Sequence, residues 1–144
     1  MTTICEIQLR KILDSRGNPT VEADIYTENG FGRAAAPSGA STGLYEAKVV
    51  EPDAAIRFAG QNLVPALIGE DARDQVGIDG KIREVDGSRD FSVLGANVAV
   101  AVSLATASAA ASSRGMELYE YLGGAFVPSL PLPLGNVIGG GAHA

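Results

Sequence analysis

The chain has 144 residues, enough for one domain with a sizeable core. Hydrophobic residues make up 46% and charged residues 19%, the balance of a globular chain and not of a disordered one. Acidic residues outnumber basic ones 17 to 11, for a formal charge of -6, which argues against a nucleic-acid surface with its clustered Lys and Arg.

The segment Ile4 to Leu13 alternates loosely and carries β-branched positions, which predicts a strand. Its one cysteine, Cys5, excludes an internal disulfide and alternates with Ile7 and Leu9, so it is expected as a small packed residue on the apolar face. Asp14 to Pro19 is a turn cluster. Thr20 to Thr27 alternates again, with Val21, Ala23 and Ile25 on one face and Glu22, Asp24 and Tyr26 on the other. Asn29-Gly30 signals a hairpin because both residues tolerate positive φ. Phe31 to Ala36 returns as a third strand.

Helices follow. Pro52 and Asp53 suit a first helical turn, and Ile56, Ala59, Leu63 and Leu67 continue at helical spacing, with Pro65 expected to end or kink the helix. A second helix is expected over 74–85, with Val76, Ile78, Ile82 and Val85 as apolar positions and Gly77 and Gly80 against it. The third, over 95–113, is rich in alanine and is expected at the centre of the helical layer. Its polar interruptions at Asn97, Ser103, Thr106 and Ser108 mark it as a packed helix and not a membrane span. A short fourth helix over 116–122 stops at Gly123-Gly124. A three-stranded antiparallel meander followed by a helical layer is an α+β domain, over 1–124. No internal repeat is present. The N-terminus has no basic-then-apolar leader pattern, and a cytoplasmic location follows as the default.

Beyond Gly124 the composition changes. Pro128, Pro131 and Pro133 interleave with Leu130, Leu132 and Leu134, and Asn136-Val137-Ile138 runs into a glycine loop ending at His143-Ala144. Residues 125–144 therefore read as a linker and the first strand and loop of something new. Such a strand, without neighbours, would expose unpaired backbone and apolar side chains.

The loop Ser38-Gly39-Ala40-Ser41-Thr42-Gly43 follows the third strand. Its glycines permit unusual backbone, and its hydroxyls can bond to backbone, metal or oxyanion. It is not a phosphate-binding P-loop, because Leu44 stands where that motif needs Lys. Alone it is either a strand-to-helix connection or an oxygen donor for a hard cation.

Several stretches together resemble the enolase family. They are 14–22 (Asp-Ser-Arg-Gly-Asn-Pro-Thr-Val-Glu), the loop 37–43 with Tyr45-Glu46-Ala47, Leu94-Gly95-Ala96-Asn97, Leu118 to Leu122, and Leu130 to Pro133 with Asn136 to Ala144. Five motifs occur in order across essentially the whole chain. Gly139 stands where many enolases have Asn, and Asp90-Phe91 where Asn-Lys is common. The Gly139-Gly140-Gly141 run is more similar to archaeal members of the family.

The resemblance implies the N-terminal part of a lyase that dehydrates 2-phosphoglycerate to phosphoenolpyruvate with two Mg²⁺ ions, in glycolysis and gluconeogenesis. The proton lost lies next to a carboxylate, so cations must hold the accumulating negative charge. By the same resemblance Ser41 ligates the second Mg²⁺ through its hydroxyl and carbonyl oxygens as the mobile loop closes. His143 contacts the substrate. Arg10, Arg16 and Glu22 lie where the family meets a second subunit, so a homo-oligomer is expected. The family's catalytic acid, lysines and metal carboxylates lie in a barrel beyond residue 144, so no catalytic residue is expected here and the 144 residues alone are expected to be inactive. The alternatives are a stand-alone protein-interaction module with the same surface, and a superfamily relative acting on another carboxylate.

Overall fold

The structure, a computed structural model, describes residues 1–39, 42–125, 129–135 and 137. Three strands, β1 (Ile4–Leu13), β2 (Pro19–Thr27) and β3 (Phe31–Ala35), form an antiparallel sheet in the order β1-β2-β3. Four helices follow, α1 (Pro52–Leu67), α2 (Gln75–Asp86), α3 (Ala96–Ser113) and α4 (Leu118–Gly123). The meander and helical layer expected from the sequence are thus present.

The sheet buries one face. Val21, Ala23 and Ile25 of the central strand are fully buried against the helices. The Asn29-Gly30 hairpin forms, but neither residue takes positive φ. Gly30 and Gly32 serve packing instead. A Cβ on Gly32 would overlap Ala105 O and Ala109 N of α3, and one on Gly30 would lie 2.6 Å from Ala109 O. Two missing side chains thus let the alanine-rich helix press its backbone against β3. Helix α3 is buried on almost every side, as a core helix must be. Its length and composition alone would suit a membrane span, yet 61% of it is buried inside this fold. It rests on the sheet, not only among helices.

Four details depart from the pattern. Cys5 is exposed, because a bulge between Ile4 and Glu6 turns it out while Ile4 stays buried. The bulge sits where the chain start also pairs with the segment after α1, through Ile4 N to Glu70 O at 2.8 Å and Gly69 N to Ile4 O at 2.9 Å. Pro65 does not end α1. It removes one bond near the helix end, but Leu67 is fully buried and Ile68 N closes the turn on Val64 O at 3.1 Å. Val76 is 85% exposed. It lies about 200° around the helix from Ile78, which with Ile82 and Asp86 forms the buried face. Finally, Phe91 holds φ at 58°, an uncommon conformation for a bulky residue. The cost is met by a closed loop: Gly95 N bonds Phe91 O, while the buried Asp86 carboxylate accepts from Leu94 N at 2.7 Å, Val93 N at 3.2 Å and Ser88 N at 3.0 Å.

Residues 129–135 form no strand, and Leu130, Leu132 and Leu134 are at least 90% exposed.

Candidate functional site: the serine loop and the charged sheet face

The loop leaves the sheet from a fixed point. Ala36 is buried, its N–H donates to Val21 O at 2.9 Å, and Thr20 Oγ1 donates to its carbonyl at 2.8 Å. Pro37 then restricts φ. Ser38 Oγ donates to Asp14 Oδ2, in the turn between β1 and β2.

That turn is itself closed. Asp14 Oδ1 accepts from Arg16 N and Asn18 N, each at 2.8 Å, and Asp14 N donates to Asn18 O at 2.8 Å. Gly17 sits at φ 80°, open only to glycine at low cost. The Ser38 hydroxyl, followed by the turn N–H groups, holds the Asp14 carboxyl down at about 2. A cavity of about 330 Å³ opens beside this corner, lined by Ile12, Asp14, Thr20, Ala36 and Ser38.

At the other end the tie is local. Gly43 N donates to Glu46 Oε2 at 2.8 Å, and Glu46 N donates to Gly43 O at 3.2 Å. Leu44 and Tyr45 follow, 87% and 97% exposed. The chain is then strapped down: Lys48 N donates to Asp90 O at 2.6 Å, Ala96 N to Lys48 O at 2.7 Å, and Asn97 Nδ2 to Val50 O at 2.9 Å. The expected metal ligand Ser41, its neighbour Ala40 and the expected substrate contact His143 lie outside the described residues. Of the loop, Ser38, Gly39, Thr42 and Gly43 are described, and all are exposed.

The expected interface residues lie on the outer face of the sheet and at its corner. Arg10 and Glu22 are cross-strand partners, and Arg10 Nε donates to Glu22 Oε1 at 2.8 Å. Arg16 stands apart on the turn, and no ion pair joins it to that group among the described residues. The centre of the group is a residue that sequence reasoning placed on this face without a role. Asp24 is 1% exposed and accepts from Arg33 Nε at 2.7 Å, Arg33 Nη2 at 2.8 Å and Arg10 Nη2. Arg33 also lies over the Phe31 ring at 5.4 Å, and Phe31 packs on Tyr26 at 5.0 Å. The Arg33 hydrogen bonds hold the Asp24 carboxyl below the usual carboxylate range, against burial, with Arg10 assisting. The signal available in the sequence was an Asp on the central strand with Arg one strand away on each side, readable only once register is known.

A second groove, of about 350 Å³, runs between α2 and α3 past Ile82, Phe91, Val100 and Leu104. None of the described loop residues, Ser38, Gly39, Thr42 and Gly43, lines it. Among the described residues, no group of three His, Cys, Asp or Glu side chains could hold a metal ion.

Residues 4–122 match the family model for the enolase N-terminal domain. Relatives carry the name enolase. One from Methanocorpusculum labreanum is 66% identical over 145 residues, covering 100% of this chain and 36% of the relative. Another from Halorubrum lacusprofundi is 57% identical over 146 residues, covering 100% of this chain and 36% of the relative. A third from Natronomonas pharaonis is 58% identical over 147 residues, covering 100% of this chain and 37% of the relative. The chain thus spans little more than a third of the length of the relatives it matches. With a family model matching most of its length and an α+β fold in keeping with that domain, the chain belongs to the enolase family.

Proposed function

We propose that this chain is the N-terminal part of a phosphopyruvate hydratase, contributing a serine-bearing loop to a site that dehydrates 2-phosphoglycerate to phosphoenolpyruvate. The observation that carries this reading is 66% identity to an enolase along 100% of the chain. In this reading residues 1–124 are the small domain and 125–144 lead into a barrel. The enzyme works in the cytoplasm as a homo-oligomer, with Arg10, Arg16 and Glu22 toward a second subunit.

The residues here fit an Mg²⁺ site only as an accessory. The described loop side chains offer oxygen and neither nitrogen nor sulfur, which suits a hard cation. No carboxylate set able to hold the ion is grouped among the described residues, and in this reading the principal ligands belong to the barrel. When bound, Mg²⁺ supplies positive charge against the negative charge that builds as a proton leaves the carbon beside the substrate carboxylate. Ser41 would hold that ion through its hydroxyl and carbonyl oxygens. The loop excludes water. His143 would contact the substrate.

The test is a phosphoenolpyruvate absorbance assay on the complete gene product and on the 144-residue chain. The complete product turns over with Mg²⁺, and Ser41→Ala lowers its rate on the order of 100-fold. The 144-residue chain is inactive. Turnover by that chain alone, or full activity in Ser41→Ala, defeats the reading.

A further inference from the structure

We propose that Asp14 is a positioning residue, whose carboxylate fixes the point from which the Ser38–Gly43 loop departs by holding the Ser38 hydroxyl. This deepens the reading above, since the loop's importance rests on Ser41, but the tie itself does not depend on that reading.

Three observations converge on Asp14. First, the carboxylate cannot drift. Its Oδ1 is engaged by two backbone N–H groups, and its own N–H is bonded to Asn18 O, so the turn presents Oδ2 from a rigid corner. Second, Ser38 is the first residue beyond the sheet that can be tied by a side chain. Ala36 is held by the sheet itself, and Pro37 has neither a hydroxyl nor an N–H. Third, the far end of the loop has no comparable anchor. Among the described residues, the hydrogen bonds of Gly43 and Glu46 join them only to each other. Among the described loop residues, Ser38 to Asp14 is thus the single hydrogen bond to a distant part of the chain. Asp14 stays ionised far below neutrality, so the anchor keeps its charge throughout the working range.

The consequence is geometric. Ser38 precedes the proposed ligand Ser41 by three positions, so in the reading above the anchor bears on where that oxygen can arrive, and small misplacements of a ligating group are costly. Without the tie, the backbone is released from Pro37 onward, and ordering it again on metal binding costs conformational entropy.

Ser38→Ala removes the tie and leaves the turn whole, while Ser38→Thr keeps the hydroxyl. In the 144-residue protein, ¹⁵N heteronuclear NOE values at Ser38 and Gly39 fall in Ser38→Ala, and the Asp14 carboxyl midpoint, followed by NMR, rises from about 2 toward the usual carboxylate range. Ser38→Thr leaves both as in the parent. In the complete gene product, Ser38→Ala raises the Mg²⁺ concentration for half-maximal rate about tenfold, and Ser38→Thr restores it. Unchanged NOE values and midpoint in Ser38→Ala overturn the tie. A loosened loop with an unchanged Mg²⁺ requirement overturns the positioning role. A gene product without hydratase activity defeats the enolase reading instead, and the two NMR readouts then decide the tie by themselves.

Discussion

Arg33 forks onto Asp24, with Nε 2.7 Å from Oδ1 and Nη2 2.8 Å from Oδ2. Arg10 reaches the same carboxylate from the opposite neighbouring strand. The charge on the central strand is therefore desolvated by the two arginines that neutralise it. Their own exposure differs from its own: Arg10 and Arg33 side chains are 33% and 52% exposed, against 1% for Asp24. The acid is the member with most to lose.

Asp24→Asn keeps the shape and removes the charge. Two guanidinium groups are then left facing each other across a neutral amide. Breaking a buried pair by removing one partner costs about 3–5 kcal/mol, and the water around both arginines lowers this to about 2 kcal/mol. The urea midpoint of the variant reports it. Adding Arg33→Met to Asp24→Asn costs less than Arg33→Met alone in the parent, because the partner is already gone. Additive losses in that cycle would show that the fork carries no coupling.

The pH dependence follows from four carboxylates, the first of them Asp14, held low chiefly by the Ser38 hydroxyl. At Asp86 burial pushes the carboxyl up, but hydrogen bonds from Ser88 Oγ, Leu94 N, Ser88 N and Val93 N outweigh it, and the group lies low. Asp24 is lowered chiefly by Arg33, and Asp71 chiefly by Arg73 with Thr2 next. Each has a folded value below its unfolded one, so the unfolded chain takes up protons first as pH falls. Stability is therefore fully present above the unfolded carboxylate value of about 3.9 and is lost below it, as pH falls through the folded values. Thermal melts from pH 7 to pH 2 are expected to be flat above about pH 5 and to fall steeply below pH 4. Asp86→Asn lowers stability at neutral pH by about 2 kcal/mol, since an amide oxygen accepts from these donors less well than a carboxylate. It also makes the acid limb shallower. An acid limb identical to the parent's would remove Asp86 from this account.

Magnesium offers a third check. No group of acidic, histidine or cysteine side chains among the described residues could hold a metal. The melting temperature of the 144-residue chain is expected to be the same within about 1 °C with EDTA and with millimolar Mg²⁺, because only a ligand bound to the native state shifts it. Rate loss on chelation is expected only in the complete gene product. A rise of several degrees with Mg²⁺ would place a metal site within these residues.

Much of the fold was legible because the central strand alternates cleanly. Val21, Ala23 and Ile25 read as an inner face and are one. The spacing of four in Ala59, Leu63 and Leu67 gave the buried side of α1. What failed was whatever depends on a neighbour. Cys5 follows the alternation of Ile7 and Leu9, but a bulge set by pairing with the segment after α1 reverses it. Val76 is apolar and helical yet lies off the face chosen by Ile78 and Ile82. Asp24 looked like any outward strand acid until the register brought an arginine to each side. The Asp14–Ser38 pair spans 24 positions and two turns, and no local pattern announces it.

The last prediction contrasts two glycines. At Gly32 an added Cβ would overlap backbone atoms of α3, Ala105 O and Ala109 N. Neither atom belongs to a flexible side chain, so helix and strand would have to separate. Separation opens the layer containing Ala105, Ala109 and Ile25, all fully buried. Gly32→Ala is therefore expected to cost about 3 kcal/mol, at the upper end for overpacking. Gly60 is the opposite case. It is exposed inside α1, has ordinary helical backbone, and a Cβ there meets nothing within 4 Å. Gly60→Ala should stabilise by roughly 0.5–1 kcal/mol, since alanine loses less backbone freedom on entering a helix. Urea titrations of the two variants beside the parent should move in opposite directions. If Gly32→Ala proved neutral, the close seating of α3 on β3 would not be the contact that sets the spacing of helix and sheet.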